Sequence, residues 1–200
     1  MQMLAGADTT ASTIRAIVYH VLKNPRVHKI LKAALKDAGL SAPVAYTMAT
    51  KIPYLAATIQ EAMRVTPAVG LPLERVVPAN GLTLPSGKVL PAGTVVGMNA
   101  WVVHMNEERF GSEPETFKPE RWLRQDEESE GGYAARLRRM QDADLTFGAG
   151  HRACYGKHVA LLQVYKLVAT LFLQFEVCSA TNSTFFYITE ETSDGMLTVR

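Results

Sequence analysis

One stretch limits the fold more than any other: the apolar run from Val159 to Phe175, interrupted by Gln163 and Lys166. A membrane span needs roughly 20 predominantly apolar residues, and this run falls short of that. It therefore reads as a helix buried in a globular core. The chain has the material for one such core, with 200 residues, 48% of them apolar and 20% charged. Its formal net charge of +2 gives no bulk electrostatic case for binding nucleic acid. No secretory signal is visible at Met1.

Helical spacing organises the first third. Ile14, Ile17, Val18, Val21 and Leu22 share one face. Asn24 is expected to cap a second helix with Pro25 at its first position. Val27, Ile30, Leu31, Ala34, Leu35 and Ala38 form its stripe, and Gly39 ends it. Pro53 opens a third helix carrying Leu55, Ile59 and Ala62. From Leu71 to Met98 the runs "RVV", "GLTL" and "TVVGM" read as strands and turns. A short helical piece is expected near Trp101–Met105. The charged segment Gln125–Asp144 reads as a solvated surface loop, with a partner-docking patch as the minority alternative. Two strand-like runs, Phe185–Thr189 and Met196–Arg200, close the chain. The fold class is mostly α with small β-sheets, α+β. "MQMLAGADTT" enters a helical pattern at once, so the sequence is expected to begin inside a larger domain.

The long helix is preceded by "FGAGHRACYG", Phe147–Gly156. Cys154 sits at the N-terminal end of that helix, where the dipole and unpaired N–H groups favour a thiolate. Gly148, Gly150 and Gly156 let the backbone turn tightly around the sulfur. Arg152 can pair with an anionic group of a ligand, and Phe147 can shield the sulfur from water. The features suit an anionic sulfur facing a large planar partner. Three alternatives remain open on the residues alone: a zinc site from His151, Cys154 and His158, a Cys–His nucleophile, and an ordinary cysteine in a helix-capping loop. The other cysteine, Cys178, follows Phe175 and Val177 and reads as a small core hydrophobe. A helix from Tyr155 to Gln174 would separate the two sulfurs by about 30 Å, so free thiols are expected.

"FGAGHRACYG" resembles the haem-binding signature of the cytochrome P450 family, with Phe147, Gly150, Arg152, Cys154 and Gly156 at the family's spacing and Ala160 following. Three further segments agree in chain order. "AGADTT", Ala5–Thr10, resembles the oxygen-binding stretch of the family's central helix. "EAMR", Glu61–Arg64, matches its Glu-x-x-Arg motif, and "PERW", Pro119–Trp122, its arginine-bearing segment before the haem loop. The resemblance covers essentially the whole chain but only the C-terminal, smaller part of a family member. Residues 1–200 are thus expected to be an incomplete C-terminal part of a single haem-thiolate monooxygenase domain, starting inside the oxygen-binding helix. The motif style is nearest the fungal microsomal type.

The resemblance implies haem, iron protoporphyrin IX, as cofactor, with Cys154 as its axial thiolate and only metal ligand. It implies that Arg152, and by position Arg75 and His104, contact the propionates. On the bland reading, Arg75 is a strand-edge charge and His104 a helix-end surface histidine. Asp8 and Thr9 would relay protons to bound oxygen, with Gly6 permitting a local helix opening; on the bland reading they cap a helix. Glu61, Arg64 and Arg121 would form a buried structural network holding the haem loop. Val69, Gly70 and Leu71, and the tip near Asp194–Met196, would line a pocket for a small apolar organic substrate. Molecular oxygen and an NADPH-dependent reductase are the other implied partners. The full-length parent would sit at the endoplasmic reticulum membrane, with no membrane span in this chain. Two further readings stand beside this one. A family isomerase or dehydratase would not activate oxygen. A truncated, catalytically inactive remnant or interaction module would use the exposed apolar face.

Overall fold

The computed structural model of the chain describes residues 2–179, 186–191 and 197–199. The expected tip at Asp194–Met196 lies outside them.

Four helices build the main core: α1 (Gln2–Lys23), α2 (Pro25–Asp37), α4 (Pro53–Val65) and α8 (Lys157–Gln174). Short α3 (Tyr46–Ala49) packs on α8. The apolar stripes read from the sequence face inward. Ile17, Val18 and Val21 of α1 meet Leu31 and Leu35 of α2, Leu55 and Ile59 of α4, and Val168 and Phe172 of α8. The spacing 161, 164, 165, 168, 169, 172 is that of one helix face, which is why α8 is a core helix despite polar interruptions. α4 is buried on almost every side. A second, smaller core joins Ala57 of α4 to Phe110, Trp122 and Met140.

Asn24 stands at the N-cap of α2, but its side chain does not cap. Its amide nitrogen donates to His20 O at 2.7 Å, tying the α1–α2 turn together instead. Ala38 is exposed beyond the last turn of α2 rather than part of its stripe. Gly39 ends the helix with φ of 61°, the left-handed conformation that glycine adopts at no steric cost.

The middle of the chain forms two antiparallel pairs. β1 (Leu73–Val76) pairs with β4 (Val95–Met98), with Arg75 opposite Val96. β2 (Leu82–Thr83) pairs with β3 (Val89–Leu90). Short α5 (Ala100–Val103) and α6 (Glu107–Phe110) follow, each capped by the side chain of the preceding asparagine, Asn99 and Asn106. At the end, β5 (Glu176–Ser179), β6 (Phe186–Glu191) and β7 (Leu197–Val199) form an antiparallel sheet in that order. Val177 is buried and its neighbour Cys178 exposed, which corrects the reading of Cys178 as a core residue. Successive strand side chains point to opposite faces, so a buried Val177 turns Cys178 outward.

The charged segment 125–144 is not a loop. Residues Glu130–Ala143 form α7, with the Ser129 hydroxyl accepting from Gly132 N–H at 3.1 Å. Arg136 explains the order: it donates to both oxygens of Glu128, at 2.8 and 2.7 Å, and to Leu123 O at 2.8 Å and Arg121 O. These charge-assisted bonds hold the Glu128 carboxyl down at about 2. No helix among the described residues is long and apolar enough to cross a membrane.

Candidate haem-thiolate site

Cys154 is exposed and free, as is Cys178. It lies between a short 3-10 turn, Gly150–Arg152, and the first residue of α8. Its own N–H donates to Phe147 O at 2.8 Å, and Gly148 N–H donates to Leu145 O at 2.9 Å. The loop doubles back on itself at Gly148 and Gly150, whose φ of 69° and 64° would strain any other residue. A Cβ on Gly156 would stand 3.8 Å from Cys154 Sγ, in ordinary van der Waals contact with the sulfur. Phe147 is half-buried against the main core, with Lys157 Nζ 5.5 Å from its ring centre. Among the described residues no three His, Cys, Asp or Glu side chains gather to hold a metal ion, so His151, Cys154 and His158 do not converge as a zinc site.

Arg75 joins this loop from the strand side. Its Nη2 lies 3.5 Å from Ala149 O, and its Nη1 donates to Glu74 O at 2.7 Å. It is a strand-edge charge and also a neighbour of the cysteine loop. Arg152 is exposed at the end of the 3-10 turn. Asp8 and Thr9 lie within α1, so they are not its cap. Asp8 is exposed, and the half-buried Thr9 donates its hydroxyl to Ala5 O at 2.7 Å. The helix runs through Gly6 without opening, and a Cβ there would meet nothing within 4 Å. Val69, Gly70 and Leu71 are exposed after α4, with Gly70 backed by the Trp101 ring, 2.6 Å from where a Cβ would stand.

Behind the loop lies the buried network. Glu61 and Arg64 are three residues apart on α4 and 0% and 1% exposed. Arg64 grips both Glu61 oxygens, Nε to Oε2 and Nη2 to Oε1, each at 2.8 Å. Arg121 Nε reaches Oε1 at 3.3 Å, Lys118 N–H donates to Oε1 at 3.0 Å and Trp122 Nε1 to Oε2 at 2.8 Å. Arg121 also donates to the carbonyls of Phe110, Ser112 and Glu113. One buried carboxylate therefore organises α4, the turn Pro119–Trp122 and the loop ahead of it.

His104 is the residue whose place differs most from expectation. It is fully buried, neither at the surface nor with a ring nitrogen left for a propionate. Its Nδ1 is 2.9 Å from Arg64 O, and its Nε2 accepts from Leu145 N–H at 2.8 Å. Its own carbonyl accepts from Arg64 Nη1 at 2.8 Å.

The sequence matches the family described as Cytochrome P450 over residues 1–197. The chain belongs to the cytochrome P450 family. It is 48% identical over 177 residues to a cytochrome P450 monooxygenase of Aspergillus candidus, cfoH, covering 88% of this chain and 33% of that protein. It is 42% identical over 179 residues to the cytochrome P450 monooxygenase ACRTS1 of Alternaria alternata, covering 88% and 45%. To a pisatin demethylase of Fusarium vanettenii it is 36% identical over 173 residues, covering 86% and 32%. The chain thus spans about a third to under a half of the length of these fungal relatives.

In this P450 chain, sequence reasoning placed Glu61, Arg64 and Arg121 together but missed Trp122 as a donor to Glu61. The quoted "PERW" contains it, yet nothing in the spacing says where the indole N–H points. It also missed that Arg75 meets the cysteine loop at Ala149.

Three histidines, His104 buried and His20 and His28 half-buried, should make the chain acid-sensitive. Burial pushes His20, His28 and His104 below the ordinary imidazole value of 6.5, against the pull of nearby carboxylates. A base with a depressed folded pKa stays neutral while the unfolded chain takes up a proton. Stability is then whole above about 6.5 and is lost as pH falls through the folded values. Denaturant midpoints at about pH 7.5 and pH 5 should show a drop at the lower pH; an equal or higher midpoint there would refute this.

Proposed function

We propose that the chain is the C-terminal, iron-ligating part of a haem-thiolate monooxygenase that inserts one oxygen atom into a small apolar organic substrate. The observation that carries this reading is the Cys154 loop. Its thiol is exposed where a structural cysteine would be packed, the backbone is pinned by the Cys154 N–H bond to Phe147 O, and Arg75 stands beside the same loop. The residues present fit haem. Cys154 would ligate its iron, Arg152 and Arg75 would pair with its carboxylates, and Phe147, Gly150 and Gly156 would shape the cradle. Bound there, haem supplies oxygen activation with electrons from an NADPH-dependent reductase, and a thiolate ligand favours O–O cleavage.

The chain's own residues do the rest. Asp8 can hold a proton at its exposed carboxyl, and the Thr9 hydroxyl can exchange its bond to Ala5 O for one to an incoming ligand. Val69 and Leu71 are apolar and 44% and 74% exposed, which suits contact with an apolar substrate rather than with this chain's core. The full-length parent would be held at the endoplasmic reticulum membrane by segments other than those described.

A reduced, carbon monoxide-bound difference spectrum tests the reading. The chain expressed with haem available, or its full-length parent where the chain takes up none, should show the thiolate-type band from which the family takes its name. Cys154→Ala should abolish it; a thiolate-type band surviving that substitution would overturn the assignment.

A further inference from the structure

We propose that His104 is a positioning residue for the Cys154 loop, a neutral imidazole that joins the buried Glu61–Arg64 network to the backbone at Leu145. The role toward haem rests on the function proposed above; the hydrogen-bond linkage does not.

The partners fix the tautomer. Arg64 O can only accept, so Nδ1 carries the proton; Leu145 N–H can only donate, so Nε2 is bare. Burial holds the imidazole in the neutral form that this bond set needs. The charged groups around the ring are Arg64 from α4 and Asp144 after α7, whose Oδ1 lies 3.5 Å from Nε2. Asp144 uses this oxygen within its own turn. Its Oδ1 takes Thr146 N–H at 2.9 Å and the Thr146 hydroxyl as well. The edge of the ring packs against Phe110, ring centres 5.7 Å apart, which limits its rotation.

From Nε2 the path to the sulfur is short and made of backbone. Leu145 N–H is held by His104, Leu145 O holds Gly148 N–H, and Phe147 O holds Cys154 N–H. On the other side, Arg64 both accepts from the ring and donates to the His104 carbonyl, so α4 and α5 cannot slide apart without breaking two buried bonds. Arg64 in turn is locked to Glu61. Among the described residues the carboxylate network makes no hydrogen bond to Cys154 of its own. His104 supplies the connection, which gives the network a means of setting the height of the loop as well as of stabilising α4.

Two near-isosteric variants separate the ring's two bonds. Glutamine places its amide near the Nε2 position and can accept Leu145 N–H. Asparagine is shorter and reaches only the Nδ1 side. Residue-resolved amide exchange on the full chain should show Leu145, Gly148 and Cys154 protected in His104→Gln. In His104→Asn they should exchange about ten- to a hundredfold faster, the ratio expected when a buried N–H loses its acceptor. The amides of α4 should be protected equally in both. In haem-loaded protein the thiolate-type fraction of the carbon monoxide adduct should follow the same order, Gln above Asn. Equal loop exchange in the two variants overturns the proposal. So does loss of protection throughout α4 and the loop alike in both, which would mark His104 as a fold-wide core residue. A Cys154→Ala control separates the two claims. If the thiolate band survives Cys154→Ala, the ligand assignment fails, and amide exchange still decides the role of His104.

Discussion

Replacing Glu61 by Ala should cost about 3–5 kcal/mol, the loss seen when one partner of a buried ion pair is removed. Domains of ordinary size hold about 5–15 kcal/mol in total, so this one change should bring the chain close to unfolding at room temperature. The reason is arithmetic of partners rather than loss of a single bond. The Glu61 carboxylate accepts from Arg64 twice, from Arg121, from the Trp122 indole and from Lys118 N–H. Without it, Arg64 at 1% exposure keeps a charge with no counter-charge, and Trp122 Nε1 loses its acceptor in a dry core. An exposed Glu–Arg pair at the same spacing would be worth about 0–1 kcal/mol, so burial sets the size of the effect. Denaturant unfolding followed by tryptophan fluorescence measures it. A loss under about 1 kcal/mol would mean that water reaches the network and that its charges are screened.

The same contrast between local pattern and distant partners explains what the sequence could and could not say. α1, α2, α4 and α8 were legible because apolar residues recur at helical spacing within each segment, and that signal is local. The Glu61–Arg64–Arg121 cluster was legible only through resemblance, since Arg121 lies 60 residues from Glu61. α7 was not legible. Its apolar stripe shrinks to Leu137 and Met140, two glycines stand in its first turn, and the Arg136 clamp that stabilises it reaches outside the helix. Cys178 was misplaced because an apolar run was read as buried throughout, whereas a strand buries alternate residues. His104 was misplaced for a further reason. Both groups that hold its ring are backbone, one 40 residues upstream and one 41 downstream, and backbone partners leave no trace in side-chain identity. The turns of the Cys154 loop were legible, because Gly148 and Gly150 hold the positive φ that glycine adopts without strain.

α8 should answer two substitutions very differently. Phe172→Ala is expected to cost about 3–5 kcal/mol, because the ring is fully buried where α1, α2 and α8 meet and its removal leaves a cavity. Leu162→Ala, ten residues earlier on the same helix, should cost under about 1 kcal/mol, because that side chain is 43% exposed and its loss opens no cavity. Thermal or denaturant unfolding of the two variants side by side gives the comparison, and equal losses would show that both faces of α8 are packed. The difference matters for how the helix is read. Val164, Tyr165, Val168, Ala169 and Phe172 account for its stability. Val159 at 63% exposure, Leu162 at 43% and Leu167 at 46% do not, although they are equally apolar. A helix selected only to pack against this core would carry charge at those positions. Low cost at Leu162 in the isolated chain, with lower haem uptake by Leu162→Ala in the haem-loaded protein, would assign that second apolar face to the surface the Cys154 thiol serves.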